Sequence, residues 1–413
     1  MIARGFPRFT KRAPVIVTDT DIAAAGGLLT VDLDAVAANY GMLRAAAAGA
    51  EVAAVVKANA YGTGMAPVAR RLAAEGCGRF FVADGNEGAA LRAVLPKAAI
   101  HVLNGLFPGT AGFHADHGLL PCLASMAEVA EWRAEAARRG RALGAALHFD
   151  TGMNRLGMSE GDAAALAAEG APTEGIEVTL VMSHLACSDE AGNPMNARQL
   201  ARFRAIRDLM TARFPKAKAS LANSGGVFLG PDYHFDLVRP GVSLYGGSPF
   251  TGRDNPFRPV VTVEARVLAL READDGDTAG YGGTWQAKGR RRLAVLSAGY
   301  ADGYFRALSY PRPDAPGDTG GMEVYGGQVR IAGYTAPVAG RVSMDMLIAD
   351  VSEVPEGAIR RGDMAELIGP HISVDEVGLR AGTLGYEILT SLGGRYMRRY
   401  ISGGTADGSG GGS

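Results

Sequence analysis

From residue 28 to residue 241 the chain alternates short apolar runs with segments whose apolar residues recur every three or four positions. The runs are LLTVD (28–32), EVAAVV (51–56), RFFVA (79–83), AIHVLNG (99–105), LLPCL (119–123), ALHFD (146–150), VTLVMSH (178–184), ASLAN (219–223) and HFDLVRPG (234–241). They are short and apolar throughout, which predicts strands buried on both faces. The segment at 33–47 predicts a helix with Leu33, Val36 and Leu43 on one face and Asp32 as its cap. Further helices are predicted at 66–75, from Glu87, at 126–140 and at 196–214. Strands and helices in alternation imply parallel βαβ units, and roughly eight of them fit a (β/α)8 barrel. An open doubly wound sheet is the alternative. The barrel is favoured because no dinucleotide fingerprint follows the first strand.

Beyond residue 255 the pattern changes. The runs at 260–270, 291–299, 321–333 and 342–354 read as strands separated by glycine turns, and long helices disappear. The chain therefore divides into an N-terminal extension (1–27), a barrel domain (28–255), a mostly β domain (256–402) and a Gly/Ser-rich tail (403–413). The expected fold class is α/β plus β.

Charge narrows the partners. With 42 basic and 43 acidic residues the net charge is −1, which leaves no electrostatic footprint for nucleic acid or an anionic membrane. An apolar stretch long enough to span a bilayer is absent from the sequence, and the basic start MIARGFPRFTKRAPVIV does not read as a secretory signal. Cys77, Cys122 and Cys187 form no CxxC pair and read as small buried residues of a reducing compartment, which predicts a cytoplasmic protein. His114 and His117 read as loop residues, and no metal site is expected.

Five motifs could carry chemistry. In AAVVKANAYGTG (53–64) a buried strand ends in Lys57, followed by Tyr61 in a small-residue turn. Strand ends of a barrel carry catalytic groups, and a desolvated lysine becomes an amine nucleophile. HFDTGMNRLGM (148–158) puts Arg155 in a glycine-rich loop, and VMSHLACSDE (181–190) puts His184 at a strand end. LANSGG (221–226) and LVRPGVSLYGG (237–247) offer the Ser224 hydroxyl and the amides of Gly241 and Val242, where barrels bind phosphate, with Arg239 at the mouth. In the β domain stand AGYGGTW (279–285), SAGYADGYFR (297–306) and AGRVSMD (339–345), and the glycines flanking Tyr281 leave its phenol accessible. A Walker loop and a GxSxG elbow are both missing, which argues against an NTPase or an α/β-hydrolase.

In order and spacing, VVKANAYGTG, DTGMNRLGM, NSGG, VRPGVSLYG, YGGTW, GYADGYFR, GRVSMD and GYE resemble the bacterial alanine racemases, a fold-type III family using pyridoxal 5′-phosphate (PLP). The resemblance runs from Leu29 to Tyr400. It implies that Lys57 holds PLP as a Schiff base and that Tyr61, Ser224, Gly241, Val242 and Tyr386 bind its phosphate. It further implies that Arg239 faces the pyridine nitrogen, with Arg155 at the phenolic oxygen and the substrate carboxylate. His184 would join Arg239 to Tyr281, Met344 would meet the carboxylate through its backbone, and Tyr300 and Tyr386 would narrow the entrance. Tyr281 would come from the partner subunit of a homodimer as the second acid/base. The implied role is supply of D-alanine for peptidoglycan.

Chemistry agrees with the resemblance. Racemisation removes the Cα proton from one face and replaces it on the other, which a lysine and a tyrosine on opposite faces accomplish. An arginine at the ring nitrogen stays protonated, leaves that nitrogen unprotonated and weakens the electron sink. That favours racemase over aminotransferase or decarboxylase. A PLP carrier would lack the β domain, and a decarboxylase of this fold type would carry a catalytic cysteine near its C-terminus; no cysteine follows Cys187. A preference for serine or another small amino acid stays open. One departure is His148, where many family members carry a carbamylated lysine; an imidazole forms no stable carbamate.

Overall fold

The computed structural model describes residues 19–310 and 326–403, apart from 48, 169 and 171. The start of the N-terminal extension, the segment 321–325 and the tail from 404 lie outside the described residues.

Seven parallel strands pair in sequence order: Ala54–Val55, Arg79–Val82, Ala99–Val102, Leu120–Leu123, Leu143–His148, Ile176–Met182 and Lys218–Ser220. The eighth, Leu237–Val238, pairs in parallel with Glu51–Val52, which opens the first strand. Hydrogen bonds from Asp236 N to Ala219 O (3.1 Å) and from Arg239 N to Ala222 O (2.9 Å) join it to the seventh. The sheet is thus a closed ring, and the open-sheet alternative is excluded. Its interior is filled by mostly small and apolar side chains, among them Ala53, Phe81, Cys122, Ala146 and Leu180.

The run at 28–32 does not open the barrel, contrary to the sequence reading. Strand Gly27–Asp32 pairs antiparallel with Val261–Ala273 and parallel with Met397–Ile401, within the eight-stranded sheet of the β domain. It is buried on both faces and precedes a helix, so its pattern matches that of a barrel strand. Asp32 does cap the helix Leu33–Ala46: its Oδ1 accepts Asp34 N at 2.8 Å and Ala35 N at 2.9 Å. The β domain also holds two short helices, Val374–Ala381 and Gly385–Thr390, the second carrying the GYE motif.

Another correction concerns 342–354, where only Leu347–Asp350 is strand. The preceding Ser343 and Met344 turn away, because their carbonyls accept Tyr300 N (3.0 Å) and Ala301 N (3.1 Å). His114 lies within the helix Ala111–Asp116 rather than in a loop, with its Nδ1–H donating to Thr110 O, and His117 donates likewise to Phe113 O. Cys77 and Cys122 are buried and Cys187 is half-buried, all as free thiols.

The β domain packs onto the turn that follows Lys57. A Cβ at Gly62 would lie 2.2 Å from Leu389 O, so only glycine fits this contact, and Arg398 donates to Gly62 O. Asp375 accepts from Ser248 N at 2.9 Å and from Asn255 Nδ2 at 3.0 Å, fixing the loop that leaves the barrel.

Candidate active site

The first barrel strand ends in a left-handed turn. Ala58, Asn59, Ala60 and Tyr61 have φ of 52°, 54°, 55° and 52°. L-residues avoid this region at roughly 1–2 kcal/mol each, and a run of four is held only where its surroundings impose it. The amide of Ala58 donates to Glu87 Oε1 at 2.7 Å, and Asn59 Oδ1 accepts Met65 N at 2.8 Å. Lys57, half-buried at the start of the turn, has its pKa lowered first by burial and then by the Arg155 guanidinium, against the opposing pull of Glu87. A larger share of neutral amine follows.

Tyr61 reaches back across the mouth to the loop after the eighth strand. A Cβ at Gly241 would lie 2.4 Å from Tyr61 Oη. Ser224 Oγ accepts Gly241 N at 2.9 Å and Ser243 N at 3.5 Å, which joins the NSGG loop to the RPGVS loop. Burial raises the Tyr61 phenol, and burial with the charges of Asp189 and Asp375 pushes Tyr386 up to about 12, so both stay protonated donors at neutral pH. Hydroxyl and amide donors lining a cradle that admits only glycine suit a phosphate group.

Arg239 is buried at the centre of the mouth. Nη1 donates to Ser220 Oγ and Nη2 to Ser183 O, both at 2.5 Å, with His184 Nδ1 3.5 Å from Nη2. Burial pulls the guanidinium down to about 10, which still leaves it protonated at pH 7. Its Cζ lies 5.9 Å from the centroid of the Phe81 ring below. His184 is held neutral by burial and by Arg239 and Arg155. His148 is held neutral by the same three causes, its pKa lowered to about 4, and its Nδ1 has no partner among the described residues. Arg155 itself is exposed on the rim of a groove shared with His148, Asp150 and His184.

Tyr281, Tyr300 and Met344 lie elsewhere. They are 68%, 41% and 53% exposed on neighbouring loops of the β domain. Arg395 fastens two of these loops, donating to both carboxylate oxygens of Asp302 and to Asp345 Oδ1, each at 2.7 Å. Tyr386 sits on its own domain's short helix yet reaches the barrel, its Oη donating to Ser248 O at 3.4 Å.

The family model described as alanine racemase, N-terminal domain, matches residues 31–249, and that described as alanine racemase, C-terminal domain, matches residues 260–400. The chain belongs to the alanine racemase family. It is 49% identical over 384 residues to an alanine racemase of Methylobacterium nodulans, covering 93% of this chain and 98% of that protein. It is 46% identical over 382 residues to a catabolic alanine racemase of Mesorhizobium japonicum, covering 92% and 95%. The crystal structure of alanine racemase from Bartonella henselae with covalently bound pyridoxal phosphate superposes with a TM-score of 0.82 at 38% identity, covering 91% of this chain and all of that one.

Within this alanine racemase fold, sequence reading missed several residues that hold the site. Ser220 and the Ser183 carbonyl grip Arg239, and Asp150 Oδ1 accepts the amides of Gly152, Met153 and Asn154, shaping the loop that carries Arg155. Asp150 had a legible signal, an acid just before a Thr-Gly turn. Ser220 had none, since its role depends on a strand neighbour 19 residues away.

Proposed function

We propose that this chain is a PLP-dependent racemase that interconverts L-alanine and D-alanine in the cytoplasm, as a homodimer with shared active sites. One observation carries the reading. A half-buried lysine with a lowered pKa shares a barrel mouth with a donor-lined cradle and with the buried Arg239.

Lys57 would anchor the cofactor, while Tyr61, Ser224, Tyr386 and the amide of Val242 would hold its phosphate, with the Gly241 amide exchanging its present acceptor, Ser224 Oγ, for a phosphate oxygen. PLP supplies the electron sink that acidifies the substrate Cα–H. Arg239, protonated at pH 7 and held by Ser220 and the Ser183 carbonyl, would face the ring nitrogen as a cation and so disfavour its protonation, which would restrain side reactions. Arg155 receives the carboxylate, aided by the Met344 amide of the partner subunit, whose carbonyl is already taken by Ala301 N in its own loop. Lys57 Nζ takes the Cα proton on one face, and the Tyr281 phenol of the partner subunit delivers a proton on the other; the roles exchange in reverse. The exposure of Tyr281, Tyr300 and Met344 on one face of the β domain supports the shared site. No described helix is long and apolar enough to cross a membrane.

The test is racemisation of L-alanine by wild-type protein and Lys57→Ala, with peptide mapping after borohydride reduction. The reading expects a yellow protein, cofactor fixed on the peptide containing Lys57, and loss of activity in the variant. Wild-type turnover by Lys57→Ala would overturn it.

A further inference from the structure

Glu87 and Tyr245 touch the left-handed turn from opposite ends, and neither has a step in the reaction proposed above. Glu87 lies on the helix Gly85–Val94 after the second barrel strand. Its Oε1 accepts Ala58 N at 2.7 Å and its Oε2 accepts Ala83 N at 2.8 Å, so one carboxylate bridges the ends of two adjacent strands. Tyr245 is 1% exposed. Its Oη donates to Val55 O at 2.8 Å, two residues before Lys57, and its ring stacks on Tyr61 at 4.8 Å between centroids and 24° between planes.

We propose that Glu87 and Tyr245 are positioning residues of the active site, clamping the turn Ala58–Tyr61 so that Lys57 and Tyr61 face one cradle. The physical need is plain from the backbone. Four successive non-glycine residues at positive φ relax toward other conformations unless their neighbours forbid it. Glu87 fixes the first amide of the turn, and a carboxylate does this more strongly than a neutral acceptor. Tyr245 fixes the strand carbonyl before the turn and the aromatic ring at its end. Freeing either end lets the amine and the phenol drift independently. Burial lowers the Lys57 pKa most, the Arg155 cation lowers it further, and the Glu87 carboxylate pulls it back up.

The proposal rests on the assignment of Lys57 as the cofactor lysine, so Lys57→Ala is measured alongside. Glu87→Gln keeps the side-chain shape but puts an NH2 donor against one of the two amides that the carboxylate oxygens accept. Tyr245→Phe keeps the stack and loses the bond to Val55 O; Tyr245→Leu loses both. Full-length proteins are compared for thermal midpoint, for affinity toward PLP and toward pyridoxal (which lacks the phosphate), and for kcat and KM. Glu87→Gln is expected to lower kcat about tenfold with KM within about twofold, since a misplaced reactive group costs turnover more than binding. Its acidic kcat limb moves to lower pH, because removing an anion beside Lys57 lowers that amine's pKa. Tyr245→Leu weakens PLP binding about tenfold and leaves pyridoxal binding unchanged, with Tyr245→Phe intermediate, the size of one lost hydrogen bond to an anion. If Tyr245→Leu does not fold, Tyr245→Phe and Glu87→Gln decide the matter. Folded variants with wild-type kcat, pH profile and PLP affinity would overturn the clamp while Lys57→Ala stays inactive. An active Lys57→Ala would instead remove the assignment beneath it.

Discussion

Ser224 Oγ lies 2.9 Å from Gly241 N, the hydroxyl accepting the amide, so two loops from successive strands form one wall of the site. Ser224→Ala removes that tether together with a hydroxyl donor. Affinity for PLP should fall about tenfold to a hundredfold, the range for a lost hydrogen bond to a charged group, with kcat at saturating PLP little changed. Titration with PLP under equilibrium dialysis checks this, and unchanged affinity would remove Ser224 from the phosphate site.

Tyr281 is 68% exposed, while Lys57 is half-buried in the barrel mouth. Lys57→Ala and Tyr281→Phe are each expected to be inactive. After free subunit exchange, mixing them in equal amounts should recover about one quarter of wild-type activity, because half the dimers are mixed and each holds one intact site. Exchange is verified with differently tagged subunits. Confirmed exchange with no recovery would argue for sites complete within one chain.

His148 carries an acid-stability signature. Its folded pKa is lowered to about 4 by burial first, then by Arg239 and Arg155. The unfolded chain, with an ordinary imidazole near pH 6.5, binds the proton more readily. Its contribution is therefore fully present above that pH and is lost as pH falls through the folded value, about 3 kcal/mol in all. His148→Gln should flatten the difference in urea stability between pH 7 and pH 4 by that amount. Equal slopes in both proteins would refute it. Racemisation should also be indifferent to added bicarbonate, since an imidazole keeps no carbamate.

Alanine should have the highest kcat/KM, serine the next, and lysine far lower. Tyr386 is held from the barrel side by its contact with Ser248 O and would narrow the space left for a substrate side chain. One added group in a pocket is worth roughly 1–3 kcal/mol, whereas a steric clash costs more. In Tyr386→Ala the serine-to-alanine ratio should rise. A fall in activity with no change in that ratio would make Tyr386 a phosphate ligand alone, and a wild-type preference for lysine would discard the pocket argument.

Much of the barrel is legible in the chain because parallel strands, covered on both faces, must be apolar throughout, and the helices between them must each turn one apolar stripe inward. Asp32 as a cap, Lys57 at a strand end and the two loops around Ser224 and Gly241 all follow from local pattern. The strand Gly27–Asp32 carries the same local pattern and belongs to the other sheet. Met344 sits in a run that reads as strand but is pulled into a loop by Tyr300 and Ala301.

The sequence by itself determined most of the barrel's strands and helices, and which chemical groups stand at the strand ends, because those depend on neighbours within a few residues. Only the tertiary structure decided that the ring of strands closes and that Gly27–Asp32 lies between Val261–Ala273 and Met397–Ile401. It alone decided that Arg239 meets Ser220 rather than an acid, and that Glu87 and Tyr245 hold the turn beyond Lys57. The side-chain pairings join residues 19 to 190 positions apart, and the strand pairings of Gly27–Asp32 join residues more distant still. Hydrogen bonds act over about 3 Å in space, and separation along the chain carries no trace of them until packing brings the partners together.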